Sequence, residues 1–215
     1  MAVQRPGMNI TSPEIERYLG EMVPARDEVL AEMEALALKR DIPIIGPVVA
    51  RIFYQLIRLI NAKRIFEMGS AIGYSTIWAA RAAGEGATVY YTDGDPANAI
   101  QAEDFIRRAG VRDRVQMLTG DALDLLDQTP GEFDIIFCDV DKHQYPDAFH
   151  KAVPRLRKGG LLLADNVLWY GRVTQPPEDD ATRGIVEFNR LIYSSEELFP
   201  TILPVRDGFA ICEKL

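Results

Sequence analysis

The chain has 215 residues, 47% of them hydrophobic, which is enough for one full core and makes one domain the expected count. A formal net charge of −8 supplies no broad basic surface for nucleic acid, so only a small local patch would serve such a partner. There is no secretory pattern at the N-terminus and no apolar run of membrane-spanning length, and Cys138 and Cys212 stand alone in strand-like segments, where buried free thiols are expected. Together these features predict a cytoplasmic enzyme or binding protein.

In chain order, the first dozen residues read as a loose arm. Ser12 then caps a helix that has Pro13 at its first position and Glu14 in its first turn. A second helix is predicted over 24–39 and a third over 48–61. From residue 64 short apolar runs alternate with helical stretches. Runs at 64–67, 88–93, 115–121, 133–139 and 160–165 read as buried strands, with helices predicted over 75–83, 98–109, 122–127 and 144–156. A long irregular segment, 167–180, has the length of a functional lid. A helix over 183–193 and two strands, 199–204 and 208–213, complete the chain. The expected fold class is α/β: a Rossmann-like, mostly parallel central sheet with helices on both faces and one antiparallel strand from the C-terminal hairpin.

Each of the five runs ends in an acid: Glu67, Asp93, Asp121, Asp139 and Asp165. In an open parallel sheet ligands bind outside the carboxyl ends of the strands, so five carboxylates gather along one edge. Crowded acids repel unless a cation or donor-rich group sits among them, which predicts a ligand carrying hydroxyls, a positive charge or a metal ion. The turn Glu67-Met68-Gly69-Ser70-Ala71-Ile72-Gly73-Tyr74-Ser75 spaces its glycines as G-x-x-x-G, which differs from a dinucleotide fingerprint. With Glu67 in it, the turn suits a ligand bearing an amino group and a sulfonium better than a pyrophosphate. Asp93 is placed to accept from ribose hydroxyls, and the turn Gly120-Asp121-Ala122 to border an adenine. Taken singly, these turns also read as ordinary tight turns.

Together these residues resemble the class I S-adenosylmethionine-dependent methyltransferases, and more narrowly the cation-dependent O-methyltransferases of the catechol and caffeoyl-CoA type. The resemblance runs from about residue 42 to 215. It is strongest in the turn at 66–75, in Phe137-Cys138-Asp139-Val140-Asp141-Lys142, in Ala164-Asp165-Asn166-Val167-Leu168, and in Leu203-Pro204-Val205-Arg206-Asp207-Gly208. It implies that Glu67, Gly69, Ser75, Asp93, Ala122 (through its backbone), Asp139 and Asp141 contact or border the cofactor, with Ile45-Gly46 closing over it. It implies a metal site of Asp139, Asp165 and Asn166. Three oxygen ligands without Cys or His suit a hard cation rather than zinc, so Mg2+ is expected, with Mn2+ or Ca2+ able to use the same ligands.

The resemblance also makes Lys142 the general base for the attacked hydroxyl, a lysine whose pKa a neighbouring cation would lower. Trp169, Tyr170 and Arg172 are placed to wall an aromatic acceptor. His143 and His150 read as surface histidines, and Glu178-Asp179-Asp180 as a solvated loop. The expected reaction is methyl transfer to a hydroxyl of a catechol-like phenolic molecule. Methylation of a hydroxylated uridine in tRNA is the second reading, an NAD-dependent oxidoreductase or a non-catalytic cofactor binder the more distant ones. Residues 1–41 are expected to form a helical arm that supports a homodimer and covers the site, and 42–215 the catalytic domain.

Overall fold

The computed structural model describes residues 10–215. The start of the expected loose arm, residues 1–9, lies outside the described residues. Three helices come first: α1 (Pro13–Met22), α2 (Glu28–Arg40) and α3 (Gly46–Leu59). The alternating part follows as β1 (Arg64–Met68), α4 (Tyr74–Ala83), β2 (Thr88–Asp93), α5 (Pro96–Arg108), β3 (Val115–Thr119), α6 (Ala122–Gln128), β4 (Phe133–Cys138), α7 (Tyr145–Ala152) and β5 (Leu156–Asp165). The chain ends with α8 (Asp180–Ser194), β6 (Leu198–Leu203) and β7 (Phe209–Lys214).

The seven strands form one sheet in the order β3-β2-β1-β4-β5-β7-β6. Strands β1 to β5 run parallel, and β7 is antiparallel to both β5 and β6, as expected from the terminal hairpin. The order reverses between β1 and β4, because the chain first builds outward from β1 through β2 to β3 and then returns to the other side. That reversal opens a crevice at the carboxyl ends of β1 and β4. One face of the sheet is covered by α2, α3, α4 and α5 around Phe53, Ile65, Val89 and Phe137. The other is covered by α6, α7 and α8 around Phe66, Ile136, Leu162 and Phe188. The central strands β1, β4 and β5 are buried on both sides over most of their length, which explains their near-continuous hydrophobic runs.

Several predicted boundaries move for local reasons. The second helix starts at Glu28 rather than near 24, because the Asp27 carboxylate caps it by accepting from the backbone N–H of Val29 at 3.2 Å and Leu30 at 3.4 Å. The helix predicted over 144–156 is three pieces: a 3₁₀ turn at Lys142–Gln144, α7, and a second 3₁₀ turn at Val153–Arg155 around Pro154. Lys158, Gly159 and Gly160 lie within β5, which starts at Leu156 and pairs with β4 through an irregular register. Neither histidine is buried, and both cysteines are free and fully enclosed, with thiol pKa values pushed up to about 12 by burial. Among the described residues no helix is long and apolar enough to cross a membrane.

Candidate active site

Glu67, Asp93, Asp139 and Asp165 sit at the carboxyl ends of β1, β2, β4 and β5, and Asp121 two residues beyond β3, so the sheet gathers the five acids on one edge. They divide into two groups by what surrounds them.

The first group belongs to the turn after β1. Glu67 is 1% exposed, and its pKa is pushed up to about 7 by burial, tempered by the hydroxyls of Ser75, Thr76 and Ser70. The Thr76 hydroxyl donates to Oε2, while Oε1 is buried with no hydrogen-bond partner. An unmatched carboxylate oxygen enclosed beside a glycine turn is an acceptor for a donor from outside the chain. The turn is held to β2 by Ser70 N–H donating to Thr92 O at 2.8 Å and by Ala71 N–H donating to Asp93 Oδ2 at 2.9 Å. Asp93 Oδ1 accepts from Asp95 N–H at 2.8 Å and Asn98 Nδ2 at 3.1 Å. Asp93 therefore braces the loops around it, a task that the sequence did not indicate. Asp121 caps α6, accepting from Leu123 N–H at 2.9 Å, which sets Ala122 at the first position of that helix.

The second group lies across the reversal point. Asp139 N–H donates to Met68 O at 2.8 Å, tying the end of β4 to β1. Gly69 abuts the same place: a Cβ built on it falls 2.5 Å from the carbonyl oxygen of Asp139. Asp165 is 2% exposed, and its Oδ1 is buried with no hydrogen-bond partner. Burial and the charge of Asp139 raise its pKa, and Arg206 and Lys142 pull it back. Asn166 follows in the left-handed region at φ 59°, one residue past the end of β5, beside the strand that carries Asp139 at its end. Among the described residues no group of three or more His, Cys, Asp and Glu is placed to hold a metal ion. The expected set has two carboxylates and an amide. The orphaned Asp165 oxygen beside a second carboxylate fits a hard cation.

Lys142 is 11% exposed in its side chain and donates to Asp139 Oδ1 at 2.8 Å, Tyr145 Oη at 2.9 Å and Val140 O at 3.3 Å. The lowering expected beside a bound cation is a separate case from the metal-free protein, where the pKa is raised: burial works to lower it, but the charge and hydrogen bond of Asp139, with the charges of Cys138 and Asp165, outweigh burial. The ammonium is bonded directly to Asp139 and lies in the field of Asp165, on which Arg206 also acts. Asp141 lies at the surface beside it.

Ile45 is 2% exposed and precedes α3, and Arg206 from the β6–β7 turn donates to its carbonyl and to Ile44 O, the latter at 3.1 Å. Trp169 and Tyr170 stand in a 3₁₀ segment, Trp169–Thr174, with both residues at positive φ and their rings 5.7 Å apart. The start of the expected lid is pinned: Leu168 N–H donates to Asp207 O at 2.9 Å, Asn189 Nδ2 to Val167 O at 2.7 Å, and Tyr170 N–H to the Asp207 carboxylate. Arg172 pairs with Asp179 at 3.2 Å, and Asp179 also caps α8. Arg172 is thereby turned toward the acidic loop. Sequence reasoning assigned no role to Tyr145, Thr76 or Arg206. The spacing of Tyr145 three residues after Lys142 was the one available signal. An open groove of about 520 Å³ between α2 and α5, lined by residues including Arg40, Asn98 and Arg108, does not include the five acids.

Comparison with known proteins gives the chain its family. The O-methyltransferase family profile matches residues 21–215. A catechol O-methyltransferase of Niastella koreensis is 33% identical over 209 residues, covering 92% of this chain and 95% of its own. A caffeoyl-CoA O-methyltransferase of Populus kitakamiensis is 30% identical over 235 residues, covering all of both chains. Among solved structures, an O-methyltransferase from Bacillus cereus in complex with SAH superposes with a TM-score of 0.86 at 30% identity, covering 94% of this chain and 97% of that one. An O-methyltransferase of Streptomyces achromogenes involved in tomaymycin synthesis, in complex with SAM, gives 0.86 at 27% identity, covering 94% and 96%. With this fold, this profile and these relatives, the chain belongs to the O-methyltransferase family and is an S-adenosylmethionine-dependent enzyme.

Proposed function

We propose that the enzyme methylates one hydroxyl of a catechol-like small molecule with the help of a divalent cation, Mg2+ most readily. The observation that carries this reading is the buried, partnerless Oδ1 of Asp165 set against Asp139, a pair that Lys142 and Arg206 offset among the described residues. Asp139, Asp165 and Asn166 are the residues that would hold the ion. When bound, it supplies Lewis acidity toward two adjacent acceptor oxygens.

The chain's own residues have separate tasks. Glu67 presents its partnerless carboxylate oxygen to the amino group of the cofactor, Gly69 and Ser75 give the turn that admits it, and Asp93 and Ala122 border its nucleoside. Asp139 and Asp141 edge the cofactor from β4, and Ile45 covers it. Neutralising Asp139 removes the attraction that keeps Lys142 protonated, and burial then favours the neutral amine that takes the acceptor proton. Alignment and charge placement do the rest. Trp169 and Tyr170 flank the acceptor, with Arg172 at the rim of that wall.

The same proposal assigns residues 1–41 to an arm and 42–215 to the catalytic domain. α1 exposes Ile15, Tyr18, Leu19 and Met22, spaced i, i+3, i+4, i+7, at 49%, 57%, 38% and 63% exposure. An apolar stripe of that kind supports a homodimer. Two enclosed free thiols support a cytoplasmic setting.

The test is methyl transfer from labelled S-adenosylmethionine to caffeic acid and related catechols, with EDTA and with added Mg2+. Activity lost in EDTA and restored by Mg2+ is expected. EDTA-insensitive transfer would overturn the metal reading, and transfer to bulk tRNA in place of catechols would overturn the acceptor.

A further inference from the structure

We infer that Tyr145 is a positioning residue, whose hydroxyl fixes Lys142 and locks the ends of β4 and β5 to each other. This inference rests on the proposed role of Lys142. Tyr145 is fully buried, at 0% exposure, and its ring packs edge-on against Phe188 of α8 with centroids 5.2 Å apart. Packing of that kind needs a ring and no hydroxyl, and a phenol buried to this depth would cost stability without partners. The hydroxyl has three. It donates toward Asp165 O at 2.8 Å and Cys138 O at 3.3 Å, and it accepts from Lys142 Nζ at 2.9 Å.

Those partners are the backbone oxygen of one proposed ligand, that of the residue before the other, and the proposed base. The register explains how one side chain reaches all three. Lys142–Gln144 is a 3₁₀ turn, in which residues three apart eclipse, so Lys142 and Tyr145 share a face. The ammonium in turn spends its three hydrogens on Asp139, Val140 and Tyr145. When Asp139 is engaged by another cation, Tyr145 Oη is the side-chain contact that keeps Nζ in place. Without it, Lys142 keeps only the long Val140 contact and a flexible four-carbon stem.

Tyr145→Phe keeps the ring and removes only the hydroxyl. The expected result is a fall in kcat of about 10-fold or more, a KM for S-adenosylmethionine within twofold, and no further loss of kcat when the substitution is made in Lys142→Ala. Losses that multiply in the double variant, or an unchanged kcat, would overturn the inference. Two further readouts separate its failure from failure of the functional reading. Mn2+ titration followed by calorimetry tests the ligand set, and a wild type that binds none sinks the metal alone. A crystal structure of Tyr145→Phe made in Asp139→Asn, where the carboxylate no longer holds the ammonium, locates Nζ without metal or acceptor: displacement or alternate rotamers relative to Asp139→Asn alone support the inference, and an unmoved, singly ordered Lys142 overturns it.

Discussion

The guanidinium of Arg206 donates to the carbonyl of Ile44 at 3.1 Å and to that of Ile45, joining the last hairpin to the entrance of α3 across 161 residues of sequence. The same group pulls down the pKa of Asp165. One exposed side chain thus ties the segment proposed to cover the cofactor to the carboxylate corner. Arg206→Ala should weaken S-adenosylmethionine binding roughly 5- to 20-fold, the scale of one charge-assisted hydrogen bond, and lower Tm modestly, because the same bonds join the hairpin to α3 in the free protein. Calorimetric Kd values for the two proteins decide it, and a Kd within twofold of wild type would show that Ile45 is held without this clamp.

Glu67 predicts a pH dependence with a definite sign. Its pKa rises from 4.5 unfolded to about 7 folded, because burial disfavours the charged form. Its contribution to stability is therefore fully present below about pH 4.5 and lost as pH rises through about 7. Between pH 5.5 and 7.5 wild type should lose about 2 kcal/mol relative to Glu67→Gln, which lacks the titration. Saturating S-adenosylmethionine should shrink that difference, because its ammonium favours the carboxylate. Urea unfolding of both proteins at the two pH values, with and without cofactor, measures the effect; parallel pH profiles would remove Glu67 from the account.

Gly69 makes a steric prediction. Its φ is +86°, and a Cβ would lie 2.5 Å from the backbone oxygen of Asp139, which has no flexible end to yield. Gly69→Ala should destabilise by about 2–4 kcal/mol and weaken cofactor binding more than 10-fold, since either the turn or the end of β4 must move. Gly110→Ala is the control. Its φ is +70° but nothing lies within 4 Å of the added carbon, so it should cost about 1 kcal/mol and leave binding alone. Equal effects from the two substitutions would mean that strain, and not the approach to Asp139, sets the result.

The alternation of apolar runs and helices made the sheet legible, because strands buried on both faces must be apolar throughout and the acids closing them stand out. Glu67, Asp139 and Asp165 were readable for that reason. Asp93 was read as a ligand contact, yet in the structure it also braces the backbone N–H groups of Ala71 and Asp95 and the Asn98 side chain; bonds to backbone N–H groups leave no mark in side-chain identity. Lys142 was singled out by the family resemblance of its motif, but its raised pKa depends on how closely Asp139 approaches, which a sequence does not encode. Arg206 acts through carbonyl oxygens of a distant segment, so nothing local announces it, and Tyr145 is announced only by its spacing from Lys142. The break at 153–156 was missed because an apolar run with one proline reads equally as helix or strand start until β4 is there to pair with it.

Asp165→Asn separates structural cost from catalytic use at one atom. Asp165 is buried beside Asp139, and its raised pKa means that its ionised form is disfavoured in the fold. By the linkage sign, wild type is penalised as pH rises above the unfolded carboxylate range, and the amide escapes that penalty. In EDTA at pH 7.5, Asp165→Asn should therefore be more stable than wild type by about 1–3 kcal/mol, the scale of relieving a buried unmatched charge. Its methyl transfer should fall at least 100-fold, and added Mg2+ should no longer raise its Tm, because a neutral amide replaces a charged oxygen ligand. Opposite signs on stability and activity are what a site kept for function at the expense of the fold produces. A variant that is less stable in EDTA would show that the carboxylate serves the fold, and one still activated and stabilised by Mg2+ would place the ion elsewhere.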